Sequence, residues 1–158
     1  GDRFDWAIQK ATELGVGAIA PLYSERVDFS IPSDRIEKRI AHWQQIAISA
    51  CEQCGRVSIP AVSTPQPLEQ WVQSVAAEQK WVLHCDDHGA PKSIAGMATP
   101  ADAALLIGPE GGLTDQEVAR ACENSFEVLQ LGPRVLRAET APVVALSALS
   151  VMWGEMPG

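Results

Sequence analysis

The stretch AALLIGPEGGLTDQE, residues 103–117, decides the predicted fold. Its first five residues form an uninterrupted apolar run of strand length, as expected for a central strand of a parallel sheet. Thr114 and Glu117 have the spacing of a capping box, which predicts a helix running to about Asn124. A buried strand, a glycine-rich loop and a helix in direct succession predict an α/β fold with a mainly parallel sheet.

The rest of the chain repeats this alternation of helices and apolar strands. Further helices are predicted at 4–14, 34–54, 68–78 and 140–153, and further strands at 18–22, 81–84 and 126–131. Gly15 and Gly55 should end the first two helices, and Asp34 should cap the second. The last helix is apolar around nearly its whole circumference, so we expect it to be buried on both sides, with a second subunit as one candidate cover. Residues 1–158 are expected to form one domain.

The composition limits the compartment and the partners. Hydrophobic residues make up 46% of the chain and no apolar run is as long as a membrane span, so a soluble cytoplasmic protein is expected. The four scattered cysteines are too few for a disulfide framework. The charged start, without an initiator Met, leads us to expect a fragment of a longer protein with no signal peptide.

The net charge of −8 argues against nucleic-acid binding by this domain alone, because phosphate contacts require Lys and Arg. An RNA enzyme with this composition would need either a local basic patch or a further domain.

Two loops are candidate ligand sites, because each follows a predicted strand. The first, residues 107–112, contains three glycines, which permit positive φ and close approach of a ligand to the backbone. It matches neither the dinucleotide fingerprint nor the P-loop, so its spacing alone fits a tight structural turn equally well. The second, residues 131–140, carries Arg134, Arg137 and Glu139. A surface ion pair is the structural alternative there, but the Gly-Pro start and the apolar residues favour a partly buried segment.

Residues 51–56, Cys-Glu-Gln-Cys-Gly-Arg, lie at the end of the long predicted helix. A zinc site would need a second ligand pair, and none follows at suitable spacing. A redox-active pair uses a helix N-terminus, whereas this pair lies at a C-terminus, where the helix dipole opposes the thiolate. Zinc and redox roles are therefore disfavoured, and Glu52, Gln53 and Arg56 become the candidate substrate-binding residues.

The run from His84 to His88 also follows a predicted strand and contains two histidines, a cysteine and two aspartates. Spacing fixes no complete ligand set here, so a loop is favoured over a metal site, and no metal is predicted.

Five sequence motifs, in the same order along the chain, resemble those of a known family. Across 9–16, 21–26, 50–56, 105–113 and 129–141 the chain resembles RsmE, the ribosomal small-subunit uridine-N3 methyltransferase family of the SPOUT superfamily. One such string would be weak, whereas five in order over nearly the whole chain are specific. The resemblance implies S-adenosylmethionine-dependent methylation of uridine N3 in 16S ribosomal RNA.

The resemblance also implies an architecture that periodicity does not predict. The sheet would carry a deep trefoil knot at its C-terminal end, where the cofactor is held, and the protein would be a homodimer. An N-terminal PUA-like domain would help to bind RNA, and because this sequence lacks it, an RNA substrate would be compatible with the net charge of −8.

The family's cofactor contacts fall on three segments of this sequence, all at predicted strand ends. Carried over residue by residue, they are His84, Ile107, Gly108, Glu110, Gly111, Gly112, Leu131, Gly132, Val135 and Leu136. Backbone amides and apolar walls dominate this set, as expected for an adenosine pocket.

Methylation of uridine N3 requires removal of its imide proton and stabilisation of the negative charge that spreads to O2 and O4. Arg137 is the first candidate for stabilising this charge and Arg56 the second, while Glu110, Glu139 and Glu52 are open candidates for the proton acceptor. Phosphate binding or a structural ion pair is an equally good account of each arginine.

Two other functions remain open. One is a SPOUT methyltransferase that acts on tRNA or on another ribosomal base. The other is a non-catalytic nucleotide-binding dimerisation module, which would need the glycine loop but neither Arg56 nor Arg137.

Overall fold

The computed structural model describes residues 1–27, 30–85 and 94–155. Asp86, Asp87 and His88 of the histidine-containing run therefore lie outside the described residues. Within the described ranges, no helix is long and apolar enough to cross a membrane.

Helices and strands alternate along the chain. The helices are α1 (Asp2–Glu13), α2 (Ile36–Cys54), α3 (Leu68–Ser74), α4 (Asp115–Glu123) and α5 (Thr140–Met152). The strands are β1 (Ala18–Ile19), β2 (Leu22–Tyr23), β3 (Ala61–Val62), β4 (Gln66–Pro67), β5 (Gln79–Leu83), β6 (Ala103–Leu106) and β7 (Glu127–Leu129). β1 pairs with β3, β2 with β4, and β5 with both β6 and β7, each in parallel. The predicted α/β class with a parallel sheet is confirmed.

The three-stranded sheet separates two groups of helices. Val82 and Leu106 point to one face, where they pack in a core with residues of α3 and α4. Trp81 and Leu129 point to the other face and pack against Leu149 of α5. Because neighbouring residues of a strand face opposite sides, the apolar run through β5 buries both faces of the sheet.

A separate core holds α1 on α2 and on β3. Ile8 and Trp43 are buried there with Ala47 and Val62. The rings of Phe4 and Trp43 meet edge to face, with centroids 5.0 Å apart. This core fixes the N-terminal turn of α1, which carries Arg3.

The predicted central position of strand 103–107 is wrong. The strand order is β6-β5-β7, so β6 lies at the edge of this sheet and β5 at its centre. The apolar character of β6 comes from burial of both its faces: Leu106 packs towards α3 and α4, and Leu105 packs in the core that includes α5. An apolar run indicates that both faces of a strand are packed against other residues. It does not indicate how many strands lie beside that strand in the sheet.

The strand predicted at 18–22 is two strands with different partners. Pro21 separates them, since it has no N–H to donate, and its carbonyl accepts a hydrogen bond from the amide of Gln66 at 3.2 Å. Ala18 is exposed and Leu22 is half-buried, so the expected burial is also incomplete.

Helix ends agree with the predictions where glycine decides them. Gly15 and Gly55 have φ of +89° and +80°, and Gly55 ends α2 as predicted.

The predicted capping role of Asp34 is wrong, because residues Ser33–Arg35 form a 3-10 turn and α2 begins without a side-chain cap. α3 ends at Ser74 instead of 78, since the chain is extended from Val75. The predicted capping box of Thr114 and Glu117 is confirmed.

In this chain α5 is only partly covered. Ala145 and Leu149 are buried, whereas Val144 and Val151 are 36% and 48% exposed. The described residues of the chain therefore do not bury this helix on both sides.

Candidate functional site

A cleft of about 500 Å³ lies at the carboxyl ends of β5, β6 and β7. Both predicted ligand loops open into it, as does the end of β5 at His84 and Cys85. This is the edge at which open parallel sheets bind ligands. The predicted cofactor residues that line the cleft are His84, Ile107, Gly108, Glu110, Gly111, Gly112, Leu131, Val135 and Leu136.

The glycine loop, residues 107–112, has two positions that require glycine. Gly112 has φ of +74°, and its amide donates to the carbonyl of Pro109 at 2.8 Å, which closes a tight turn. A Cβ on Gly108 would lie 2.9 Å from Leu113 Cγ and 3.1 Å from the Leu113 amide nitrogen. Side chains at these positions would distort the loop.

Arg26 lies against this loop, although sequence reasoning gave it no role. Its Nη1 donates to the carbonyl of Gly111 at 2.8 Å. A Cβ on Gly111 would approach the Cβ of Arg26 to 3.3 Å, so the arginine stem occupies the space beside this glycine. The string 21–26 contained Arg26, but nothing in its spacing indicates contact with a loop 85 residues later.

Arg3 of α1 links the two acidic residues predicted to act as proton acceptors in this region. It forms an ion pair with Glu110, and its Nε lies 4.0 Å from Glu139 Oε1. The hydrogen bond and the charge of Glu110, with a smaller contribution from Glu139, raise the pKa of the Arg3 guanidinium. The second carboxylate oxygen of Glu139 is buried and has no hydrogen-bond partner among the described residues. Arg3 was not identified from the sequence because α1 is distant in the chain from both loops.

The second ligand loop presents two exposed arginines. Arg134 and Arg137 both line the cleft, and neither side chain forms a hydrogen bond or an ion pair with the residues that the structure describes. The carbonyl of Arg137 accepts from the amides of Thr140 and Ala141 at 2.9 and 3.0 Å, so this residue sits at the start of α5. Val135 between them is 83% exposed, which leaves the cleft open on this side.

Arg56 lies away from the cleft. Its Nη1 donates to the carbonyls of Thr12 and Val16, at 2.7 and 3.0 Å, and so satisfies acceptors where α1 ends. Glu52 and Gln53 are exposed at the end of α2, and none of the three lines the cleft.

Two further predicted site residues do not line the cleft. Gly132, with φ of +91°, and Glu139 are adjacent in sequence to residues that do. The fold therefore brings most of the predicted cofactor residues and Arg137 together around one cavity, whereas the 52–56 segment lies apart from them.

The cysteine pair does not form a disulfide. Cys51 and Cys54 are both free thiols, and Cys51 Sγ lies 3.7 Å from the carbonyl of Ser58. Across residues 1–27, 30–85 and 94–155, no three His, Cys, Asp or Glu side chains are grouped to hold a metal ion.

Comparison with curated proteins adds the family context. The chain is 37% identical to the ribosomal RNA small subunit methyltransferase E of Bacillus subtilis, with 95% of the chain and 61% of that protein aligned. It is 33% identical to the enzyme of the same name from Buchnera aphidicola, with 98% and 63% aligned. The chain thus spans about three fifths of the length of these relatives.

Solved structures share the fold. A ribosomal RNA small subunit methyltransferase E from Neisseria gonorrhoeae, bound to S-adenosyl methionine, superposes with a TM-score of 0.87 at 38% identity, over 97% of this chain and 62% of that one. A Legionella pneumophila protein in complex with the bound cofactor SAM gives 0.87 at 42% identity, over 96% and 62%. The family model of the RNA methyltransferase domain matches residues 1–150. With nearly the whole length matched and the cleft at the expected edge of the sheet, the chain belongs to the RNA methyltransferase domain family.

Proposed function

We propose that the chain is the S-adenosylmethionine-dependent catalytic domain of an RsmE enzyme, which methylates N3 of a uridine in 16S ribosomal RNA. The observation that carries this proposal is the cleft in which the glycine loop and the second ligand loop meet at the carboxyl ends of parallel strands. The names of the relatives and the S-adenosylmethionine in two neighbouring structures support it.

The residues present fit the cofactor. A volume of about 500 Å³ suits one small molecule. Ile107, Leu131 and Leu136 offer apolar walls for an adenine ring, and the backbone of 108–112 offers polar groups without intervening side chains. Bound S-adenosylmethionine would supply the electrophilic methyl group.

In this reaction the protein has to remove the N3 proton of the uracil ring and stabilise the negative charge that develops on O2 and O4. Arg137 is our candidate for stabilising the negative charge on O2 or O4, since it lines the cleft and its guanidinium has no intramolecular partner among the described residues. Glu110 is the acceptor candidate that lines the cleft, whereas Glu52 does not. We therefore propose Glu110, directly or through water, as the group that takes the N3 proton.

The cleft provides the local basic patch that an RNA enzyme with a net charge of −8 would need. Four arginines line it, and Glu110 is the acidic residue among its described lining: the arginines are Arg3, Arg26, Arg134 and Arg137. RNA phosphates next to the target base would be attracted to this rim although the chain as a whole carries −8. We propose that a PUA-like domain in the full-length enzyme supplies further RNA contacts in the cytoplasm.

We also propose that the enzyme is a homodimer and that the 131–140 segment belongs to a deep trefoil knot. The dimer is supported by the exposed valines of α5, and the knot by the family resemblance of this segment.

Titration of the chain with S-adenosylmethionine, S-adenosylhomocysteine and ATP tests the proposal. A methyltransferase should bind the first two and discriminate against ATP, because the cleft contains no P-loop. Equal binding of ATP would favour the non-catalytic nucleotide-binding module. In a separate methyl-transfer assay, label on tRNA in place of small-subunit RNA would favour a different substrate.

A further inference from the structure

Glu117 joins two segments that are 92 residues apart in the sequence. Its Oε2 accepts from the amide of Thr114 at 2.9 Å, and its Oε1 accepts from the amide of Glu25 at 2.8 Å. The first hydrogen bond belongs to the capping box at the start of α4, whereas the second has no part in capping a helix. Glu117 is only 7% exposed, so each carboxylate oxygen needs a donor, and the Glu25 amide provides the second one.

The bond to Glu25 fixes a short turn after β2. The amide of Val27 donates to the carbonyl of Ser24 at 3.2 Å, so Glu25 and Arg26 are the two central residues of this turn. Glu117 therefore holds the turn from outside, at the residue directly before Arg26.

Arg26 in turn holds one peptide group of the glycine loop. Its Nη1 donates to the carbonyl of Gly111, while the N–H of the same peptide group, that of Gly112, donates to Pro109 O at 2.8 Å. The Gly111–Gly112 peptide is thus fixed at both ends. Glycine-rich backbone has low barriers to peptide rotation, so the hydrogen bonds at its carbonyl and at its N–H define the orientation of this peptide.

We propose that Glu117 is a positioning residue of the cofactor site. By fixing the Glu25 amide it places the Arg26 guanidinium on Gly111, and so holds the glycine loop in the shape that lines the cofactor cleft. The role rests on the proposed function, because it takes the cleft to bind S-adenosylmethionine.

A purely structural role for Glu117, as part of the α4 cap, makes a different prediction. Thr114→Ala removes the Thr114 Oγ1 acceptor for the amide of Glu117, at 3.1 Å, but keeps both backbone donors of the carboxylate. This variant should lose helix stability without losing the hold on Arg26. It is therefore the matched control.

Glu25→Pro isolates the link between the two segments. It removes the amide that Glu117 binds, and proline is well tolerated at the second position of such a turn. The variant leaves Glu117 and the capping box intact, and so answers the question even where Glu117→Gln folds poorly.

The test is calorimetric titration of each variant with S-adenosylmethionine, with its thermal unfolding measured in parallel. Glu117→Gln, Glu25→Pro and Arg26→Ala should each weaken binding about tenfold, as expected for loss of one charge-assisted hydrogen bond. Thr114→Ala should lower Tm and leave affinity unchanged. Glu117→Gln combined with Arg26→Ala should bind no more weakly than Arg26→Ala alone, because both act through one contact. Arg26→Lys should restore part of the affinity.

Three results would overturn the role. They are wild-type affinity in Glu117→Gln and Glu25→Pro, multiplicative effects in the double variant, and a loss of affinity in Thr114→Ala equal to that in Glu117→Gln. Failure of the wild type to bind S-adenosylmethionine would instead remove the proposed function itself.

Discussion

Single residues in the cleft have partners that local sequence does not reveal. Gly111 was expected to let a ligand approach the backbone, and the structure places the stem of Arg26 beside it. Glu110 and Glu139 were expected as acceptors, and the structure places Arg3 next to both. Each of these contacts joins residues more than 80 positions apart, and local spacing contains no information on such pairs.

Arg137 is the residue on which the proposed chemistry depends most. Arg137→Ala should lower the single-turnover rate at saturating RNA and cofactor by about a hundredfold, as loss of an oxyanion-type donor does. Arg134→Ala, which removes a second exposed arginine of the same loop, is the control and should mainly weaken RNA binding. Rapid-quench measurement of methyl transfer distinguishes a loss of single-turnover rate from a loss of RNA affinity. A change in RNA affinity alone in Arg137→Ala would make Arg137 a positioning residue.

Gly112 tests the glycine loop itself. Gly112→Val should abolish measurable binding of S-adenosylmethionine, because φ of +74° strains a branched side chain and the new atoms point towards Arg26 Nη1, 3.8 Å from an added Cβ. Gly96→Val is the matched control, since Gly96 has φ of +81° but no atom within 4 Å of an added Cβ. Equal cofactor affinity in wild type and Gly112→Val by calorimetry would remove the loop from the site.

Among the elements, those set by local chemistry were predicted well. The capping box at Thr114 and the glycine end of α2 depend on neighbouring residues, and both are confirmed. The central position assigned to β6 was wrong, because strand order depends on crossovers that periodicity does not encode. Asp34 was wrong because the chain tightens into a 3-10 turn there, which removes the capping geometry.

The candidate site was predicted in part for the same reason. Strand-end loops identify the cleft, since parallel strands place their carboxyl ends together. Arg56 marks the limit of this reasoning. The motif that contains it suggested a role in the chemistry, whereas its guanidinium binds carbonyls at the end of α1.

Arg56 therefore contributes to the stability of α1. Arg56→Ala should lower the free energy of unfolding by about 1–3 kcal/mol, because two carbonyls lose a charged donor. Arg39→Ala, at an exposed position on α2, should change it by less than about 0.5 kcal/mol. Urea denaturation measures both. Wild-type stability in Arg56→Ala, with slower methyl transfer, would instead support a role at the substrate.

At the scale of the whole molecule, α5 offers the surface for the proposed dimer. Val144→Glu should shift the protein towards monomer, because a carboxylate would have to be desolvated in an apolar interface. Met97→Glu is a control of equal exposure, since both native side chains are 36% exposed. Analytical ultracentrifugation at micromolar concentration measures the change. A monomeric wild type would refute the dimer.

The distribution of charge predicts that this chain binds the cofactor and that the proposed PUA-like domain contributes much of the RNA affinity. Joining the chain to the part that the Bacillus subtilis relative has in addition should raise RNA affinity and steepen its salt dependence, because more phosphates are contacted. The affinity for S-adenosylmethionine should not change. Filter binding at several salt concentrations checks this, and equal RNA affinity with and without the added part would contradict it.

Methyl transfer from labelled S-adenosylmethionine to small ribosomal subunits, with the modified base identified by mass spectrometry, tests the proposed function most directly. The RNA from subunits of a strain that lacks the enzyme should gain one methyl group on N3 of a uridine, and Arg137→Ala should slow that gain. Label on tRNA or on another base, or no label when the chain binds the cofactor and is joined to the additional part of the Bacillus subtilis relative, would contradict the function assigned to this domain.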